Sequence, residues 1–220
     1  MAPFGKIYSY PNNFRVERAQ VIAAVNGLEV PLTENFQMRV TNATPDFLSK
    51  FPMGKVPAFE GADGFCVSEG AAICQYIARS GPKAAQLLGA DAKTEAKITQ
   101  WNYFAETEII PNVLPPAIMV LMKLMPFDEA RYEKCAADTL RALKAMEAAL
   151  KGGKKYLVGD QLTLADIMVA GPIFAASKFL IDAEMRKDIP SVVAWLQGLA
   201  ALPEFKPLGE LVLCETRTKP

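Results

Sequence analysis

The chain has 220 residues, of which 51% are hydrophobic and 22% charged, enough apolar material for a large core and no signature of disorder. Lys plus Arg and Asp plus Glu number 24 each, so the basic surplus expected of a protein that works on nucleic acid or an anionic membrane is missing. No histidine is present, which excludes Ser-His-Asp and Cys-His nucleophile systems and His-ligated zinc; proton chemistry must use Tyr, Lys, carboxylates or a group supplied by a ligand.

In chain order, KIYSY (6–10) reads as a short strand ended by Pro11. Residues 14–26 read as a helix burying Val21, Ile22 and Val25, with Gly27 as its C-terminal cap. Leu28 to Thr33 gives a second strand, interrupted by Pro31 and so placed at an edge; a crossover helix between the two predicts parallel pairing. Thr44-Pro45 starts a short helix. VPAFE (56–60), the turn 61–64 and FCVSE (65–69) form a hairpin, and Gly70 to Arg79 a helix. The order β-α-β-α-β-β-α is that of a thioredoxin-like domain.

After residue 80 the pattern is helical throughout. The expected organisation is a thioredoxin-like domain over 1–80, a linker over 81–93 and an all-helical domain over 94–220, giving an α/β plus all-α fold class. A helix from Thr94 runs through Trp101 and Phe104 and is expected to stop at Pro111. Residues 128–150 carry the clearest helical period, ended by Gly152-Gly153. Thr163-Leu-Ala-Asp166 is a capping-box variant with Leu162 as its staple, and Pro190 opens a last helix. Cys66, Cys74, Cys135 and Cys214 contain no C-x-x-C pair and no zinc spacing, so no metal site is expected and free thiols of a reducing compartment are. MAPFGKIYSYPNN has no apolar signal region, and no uninterrupted apolar run approaches about 18 residues; a cytoplasmic protein with no membrane partner is expected.

Three local signals carry chemistry. Gly54-Lys55-Val56-Pro57 places a proline at a strand start; it reads either as an edge-strand dipeptide or as a cis bond that turns the Val56 N–H and C=O outward to pair with a bound peptide. Glu69-Gly70 stands at a strand-to-helix junction, where unpaired N–H groups make a carboxylate site and Glu69 can take an amino group or merely favour the helix start. Tyr10-Pro11-Asn12-Asn13-Phe14-Arg15 precedes the first helix. Asn13 is an N-cap by default, but a thiol docked at that helix start would have its pKa lowered from about 8.5.

The spacing of Asn13, Val56-Pro57 and Glu69-Gly70, with Thr163–Asp166 in a helical second half, resembles the cytosolic glutathione transferases over nearly the whole chain. The strings YSYPNNFR, FLSKFPMGKVPAFEGADGFCV, QWNYFAE, YLVGDQLTLADI and PLGELVLCE are similar to the transferase-like N-terminal domain of the elongation factor 1 gamma subunit. The resemblance implies glutathione as cofactor and a homodimer. It gives Val56 and Pro57 the cysteinyl backbone, Lys55 with Asn42 the glycyl carboxylate, and Glu69 and the Gly70 amide the γ-glutamyl end. Glu106 would reach the γ-glutamyl group of a partner subunit, and Asn13 falls where related classes place a thiolate-donating Ser. Ser9 and Tyr10 are further donors, and Asn12, Arg15, Met119 and Met122 belong to the pocket for a small apolar electrophile.

Two departures stand out. The family usually has Ser where this chain has Gly70, which removes one hydrogen bond to a charged carboxylate, worth roughly 1.5–3 kcal/mol. Ser68 is adjacent, but strand alternation sends it to the opposite face. The second departure is Asn13 itself, an amide in place of a hydroxyl. The implied activity is thiolate addition to an apolar electrophile, giving conjugation or double-bond isomerisation, for instance in metabolite biosynthesis. The alternative is an interaction module of the elongation factor 1 complex with a relic glutathione site.

Overall fold

The computed structural model describes residues 2–220. Strand β1 (Gly5–Tyr8) pairs antiparallel with β2 (Ala58–Gly61), which pairs antiparallel with β3 (Cys66–Ser68). The predicted second strand is present only as an extended segment beside β1, with one parallel bridge, Ile7 to Leu32. Ile7 N–H donates to Pro31 C=O and Thr33 N–H to Ile7 C=O, at 2.9 and 2.8 Å. Pro31 has no N–H to extend the ladder, which is why a full strand does not form.

Because strand side chains alternate between faces, Ile7 and Phe59 enter one core while Tyr8 and Ala58 enter another. The first core lies under helices α1 (Phe14–Val25) and α3 (Gly70–Arg79), through Val21, Ile22, Ile73 and Ile77. The second lies under α2 (Pro45–Lys50), where Tyr8 packs on Phe47 and Phe51. α1 ends with Gly27 at φ +65°, the left-handed position its capping role requires.

The segment expected to be a linker contains α4 (Ala84–Leu88) and the start of α5 (Ala92–Phe104). The expected stop at Pro111 is absent too. α5 continues through a π turn (Ala105–Ile109) into α6 (Ile110–Val120), with Ile110 N–H bonded to Ala105 C=O, five residues back. A proline ring in an α-helix collides with the carbonyl four residues earlier. Widening the turn just before Pro111 lets the rod pass it, and π turns of this kind recur at functional sites.

α7 (Glu129–Leu150), α8 (Leu164–Ser177), α9 (Ala183–Lys187) and α10 (Pro190–Ala200) complete the helical unit. α8 is buried at every position but Ala175, as a helix that is apolar all round must be. At its start Asp166 accepts from Thr163 N–H and hydroxyl, Leu157 N–H and Trp195 Nε1 at 2.8–3.1 Å. Beyond Leu208 the chain is irregular yet tied down: Cys214 N–H reaches Ser177 C=O, and Arg217 bridges Glu133 and Asp182. α1 packs on α8, so the two units share one core. Among the described residues, no helix is long and apolar enough to cross a membrane and no cluster of metal-ligating side chains occurs.

Candidate functional site

A cavity of about 340 Å³ opens where the 51–57 loop, the β3–α3 junction, α1 and the π turn meet. Its wall includes Arg15, Lys55, Val56, Glu69, Gly70 and Glu106. The Val56–Pro57 bond is cis, and neither N–H nor C=O of Val56 has a backbone partner among the described residues. Glu69 has φ +69° and ψ 117°, a conformation a non-glycine residue rarely adopts, and its side chain makes no capping bond to α3. Ser68, the last residue of β3 and paired with Ala58, also borders this cavity. A Cβ on Gly70 would meet Arg15 and Pro57 at ordinary contact distances of 3.5–3.6 Å. The hydroxyl of a serine is therefore missing by chemistry and not for want of room.

Glu106 belongs to the π turn, and it lines the cavity of its own chain. Its Oε1 accepts from Arg18 Nη2 at 2.8 Å. Arg18, from α1, is fully buried; its Nη1 donates to Met168 C=O at 3.2 Å, and its Nε has no partner. Gly171 makes the space, since a Cβ there would stand 2.5 Å from Arg18 Cγ. Burial, reinforced by the Arg18 charge, pulls the Arg15 pKa below its ordinary value. The partners of Arg18 lie 88 and 150 residues away in the chain.

The description Glutathione S-transferase, N-terminal domain matches residues 3–79, and Glutathione S-transferase, C-terminal domain matches residues 109–203. Glutathione S-transferase-like protein LUC7 from Fusarium sp is 49% identical over 206 residues, covering 94% of this chain and 93% of the relative. The chain belongs to the glutathione S-transferase family. Elongation factor 1-gamma of Homo sapiens is also similar, 35% identical over 217 residues; the match takes in 96% of this chain and 48% of that relative, so the chain spans about half its length. The crystal structure of the GST-like domain of Elongation Factor 1-gamma from Saccharomyces cerevisiae superimposes with a TM-score of 0.81 at 23% identity, over 100% of this chain and 99% of that one, a likeness of fold.

Within this transferase fold, the remaining predicted site residues stand apart from the cavity wall. Asn13 is 5% exposed: its Oδ1 accepts from Arg15 N–H at 3.1 Å and its Nδ2 donates to Ser9 Oγ at 3.0 Å. Both Asn13 and Ser9 are turned into the protein. Tyr10 is half-buried, and Asn12 is exposed at φ +59°. Tyr8, on β1, gives its hydroxyl to Glu60 at 2.5 Å. Asn42 is buried, bonded to Gly54 C=O and Arg39 N–H at 2.6 Å each, and braces the loop that carries Lys55. Met119 is core, its sulfur accepting from Asp128 N–H, because it faces α7; Met122 lies 45% exposed just past α6.

Proposed function

We propose that this transferase-family chain is a glutathione-dependent enzyme acting on a small apolar electrophile. The observation that carries the reading is the charge pattern of the cavity. Glutathione has two carboxylates and one ammonium, and the wall offers two cations, Arg15 and Lys55, and two anions, Glu69 and Glu106. The open N–H and C=O of Val56 suit the cysteinyl backbone as an added strand would. Lys55 would take the glycyl carboxylate, while the Gly70 amide at the start of α3 and Arg15 take the γ-glutamyl carboxylate. Glu69 takes the ammonium.

A volume of about 340 Å³ sits at the small end of ligand sites, sized for a tripeptide. Bound glutathione would supply the thiol nucleophile. The chain's own contribution is to orient it, to screen its carboxylates and to present it near the positive end of α1. Conjugation and double-bond isomerisation both fit, and neither needs a histidine. As the family resemblance implies, the working form is a cytoplasmic homodimer.

The test is a calorimetric titration with reduced glutathione, beside Glu69→Ala. Binding at micromolar to low-millimolar strength is expected, weakened by about 2 kcal/mol or more in the variant if the pair is desolvated. No binding at roughly 10 mM, weaker than about −3 kcal/mol, would overturn the reading. One observation favours the second reading, an elongation-factor interaction module: Asn13 and Ser9 bond to each other and leave the wall without a hydroxyl or amide donor from that loop. In that case the chain co-purifies with an exchange-factor subunit and tolerates both Asn13→Ala and Glu69→Ala.

A further inference from the structure

We infer that Arg18 is a positioning residue, holding Glu106 on the wall of its own subunit's cavity so that Glu106 and Glu69 together read the α-ammonium of glutathione. This rests on the glutathione reading above. An arginine with no exposed surface is rare unless fully paired. Arg18 is not fully paired, since its buried Nε has no partner among the described residues. Where stability alone is at stake, an apolar side chain of similar volume serves as well as a buried ion pair or better. The cation's geometry points instead to what it orients.

Glu106 gives only Oε1 to Arg18; Oε2 has no partner among the described residues, and the side chain keeps 29% exposure at the cavity wall. Three features converge on this placement. The π turn sets the backbone of Glu106, Arg18 anchors one oxygen, and Gly171 leaves room for the Cγ and Cδ of Arg18. Arg15, one turn earlier on the same face of α1, makes no ion pair among the described residues. By engaging Glu106, Arg18 keeps that carboxylate from collapsing onto Arg15 and leaves Arg15 free for a ligand carboxylate.

The experiment compares glutathione with its deaminated analogue, γ-glutaryl-cysteinyl-glycine, by calorimetry on the full chain. It uses wild type, Arg18→Met and the double variant Arg18→Met/Glu106→Gln, with thermal unfolding recorded for each. The double variant removes both charges and guards against a fold left with one buried ion. Wild type is expected to prefer glutathione by about tenfold or more, the scale of one charge-assisted hydrogen bond. Both variants should fall to the same preference, at least about threefold below that of wild type, the remainder being sustained by Glu69. A merely structural arginine would lower the melting temperature and weaken the two ligands equally. An unchanged preference in Arg18→Met, or none in wild type, overturns the inference. Failure of wild type to bind glutathione at all overturns the underlying reading instead.

Discussion

The helix starts of α8 and α3 each have a carboxylate beside them and use it in opposite ways. At α8, Asp166 is fully buried and accepts four donors, among them the Thr163 N–H and hydroxyl. Burial pushes its carboxyl up, while those donors pull the other way. At α3, Glu69 is exposed, left-handed and without a capping bond, and the first amides of the helix face a cavity. One terminus is closed by the chain itself. The other is left open at a cost in backbone conformation of about 1–3 kcal/mol.

The sharpest way to break this contrast is Asp166→Ala. It strands the Leu157 and Thr163 amides and the Trp195 N–H, and a loss of about 4 kcal/mol is expected, roughly 10 °C in melting temperature. A loss below about 1 kcal/mol would mean the α8 start is not closed as described. Next comes Glu106→Gln, which leaves Arg18 buried without an anion and should cost about 3 kcal/mol; adding Arg18→Met should restore most of it. Chemical denaturation of the single and double variants measures that recovery.

Glu69→Gly should move the other way. It relieves the positive φ and raises stability by about 1 kcal/mol, while glutathione affinity falls. A variant both less stable and equally tight in binding would sink the idea that this terminus is kept open for a ligand. The smallest effect belongs to Glu60, away from both helix starts. The Tyr8 hydroxyl, then Lys50 and Lys6, hold its carboxyl below the ordinary value of 4.5. Its contribution is therefore present above that value and lost as pH falls through the folded one. Urea midpoints of wild type and Glu60→Gln should differ at neutral pH and converge as the pH falls below the ordinary carboxyl value.

The contrast also explains what could be read from residues alone. The capping box at α8 is four consecutive letters, and the hairpin turn, the α7 period and the Gly27 cap are equally local. The Val56, Glu69 and Gly70 wall was legible because each sits at a junction with its own signature. Pro31 and Pro111 misled in opposite directions. The first blocked a strand that periodicity predicted, and the second was absorbed by a π turn that periodicity cannot show. The partners of Arg18 carried no local sign, since they come from α8 and from the π turn.

The close approach of Arg18 to Gly171 has a consequence for descent. With Arg18 Cγ 2.5 Å from where a Cβ would stand, any side chain at 171 requires a smaller or displaced one at 18. The two positions, 153 apart in the chain, must therefore change as a couple along a lineage. A side chain gained at 171 with the arginine kept would displace the Arg18 stem and with it the anchor of the carboxylate at 106.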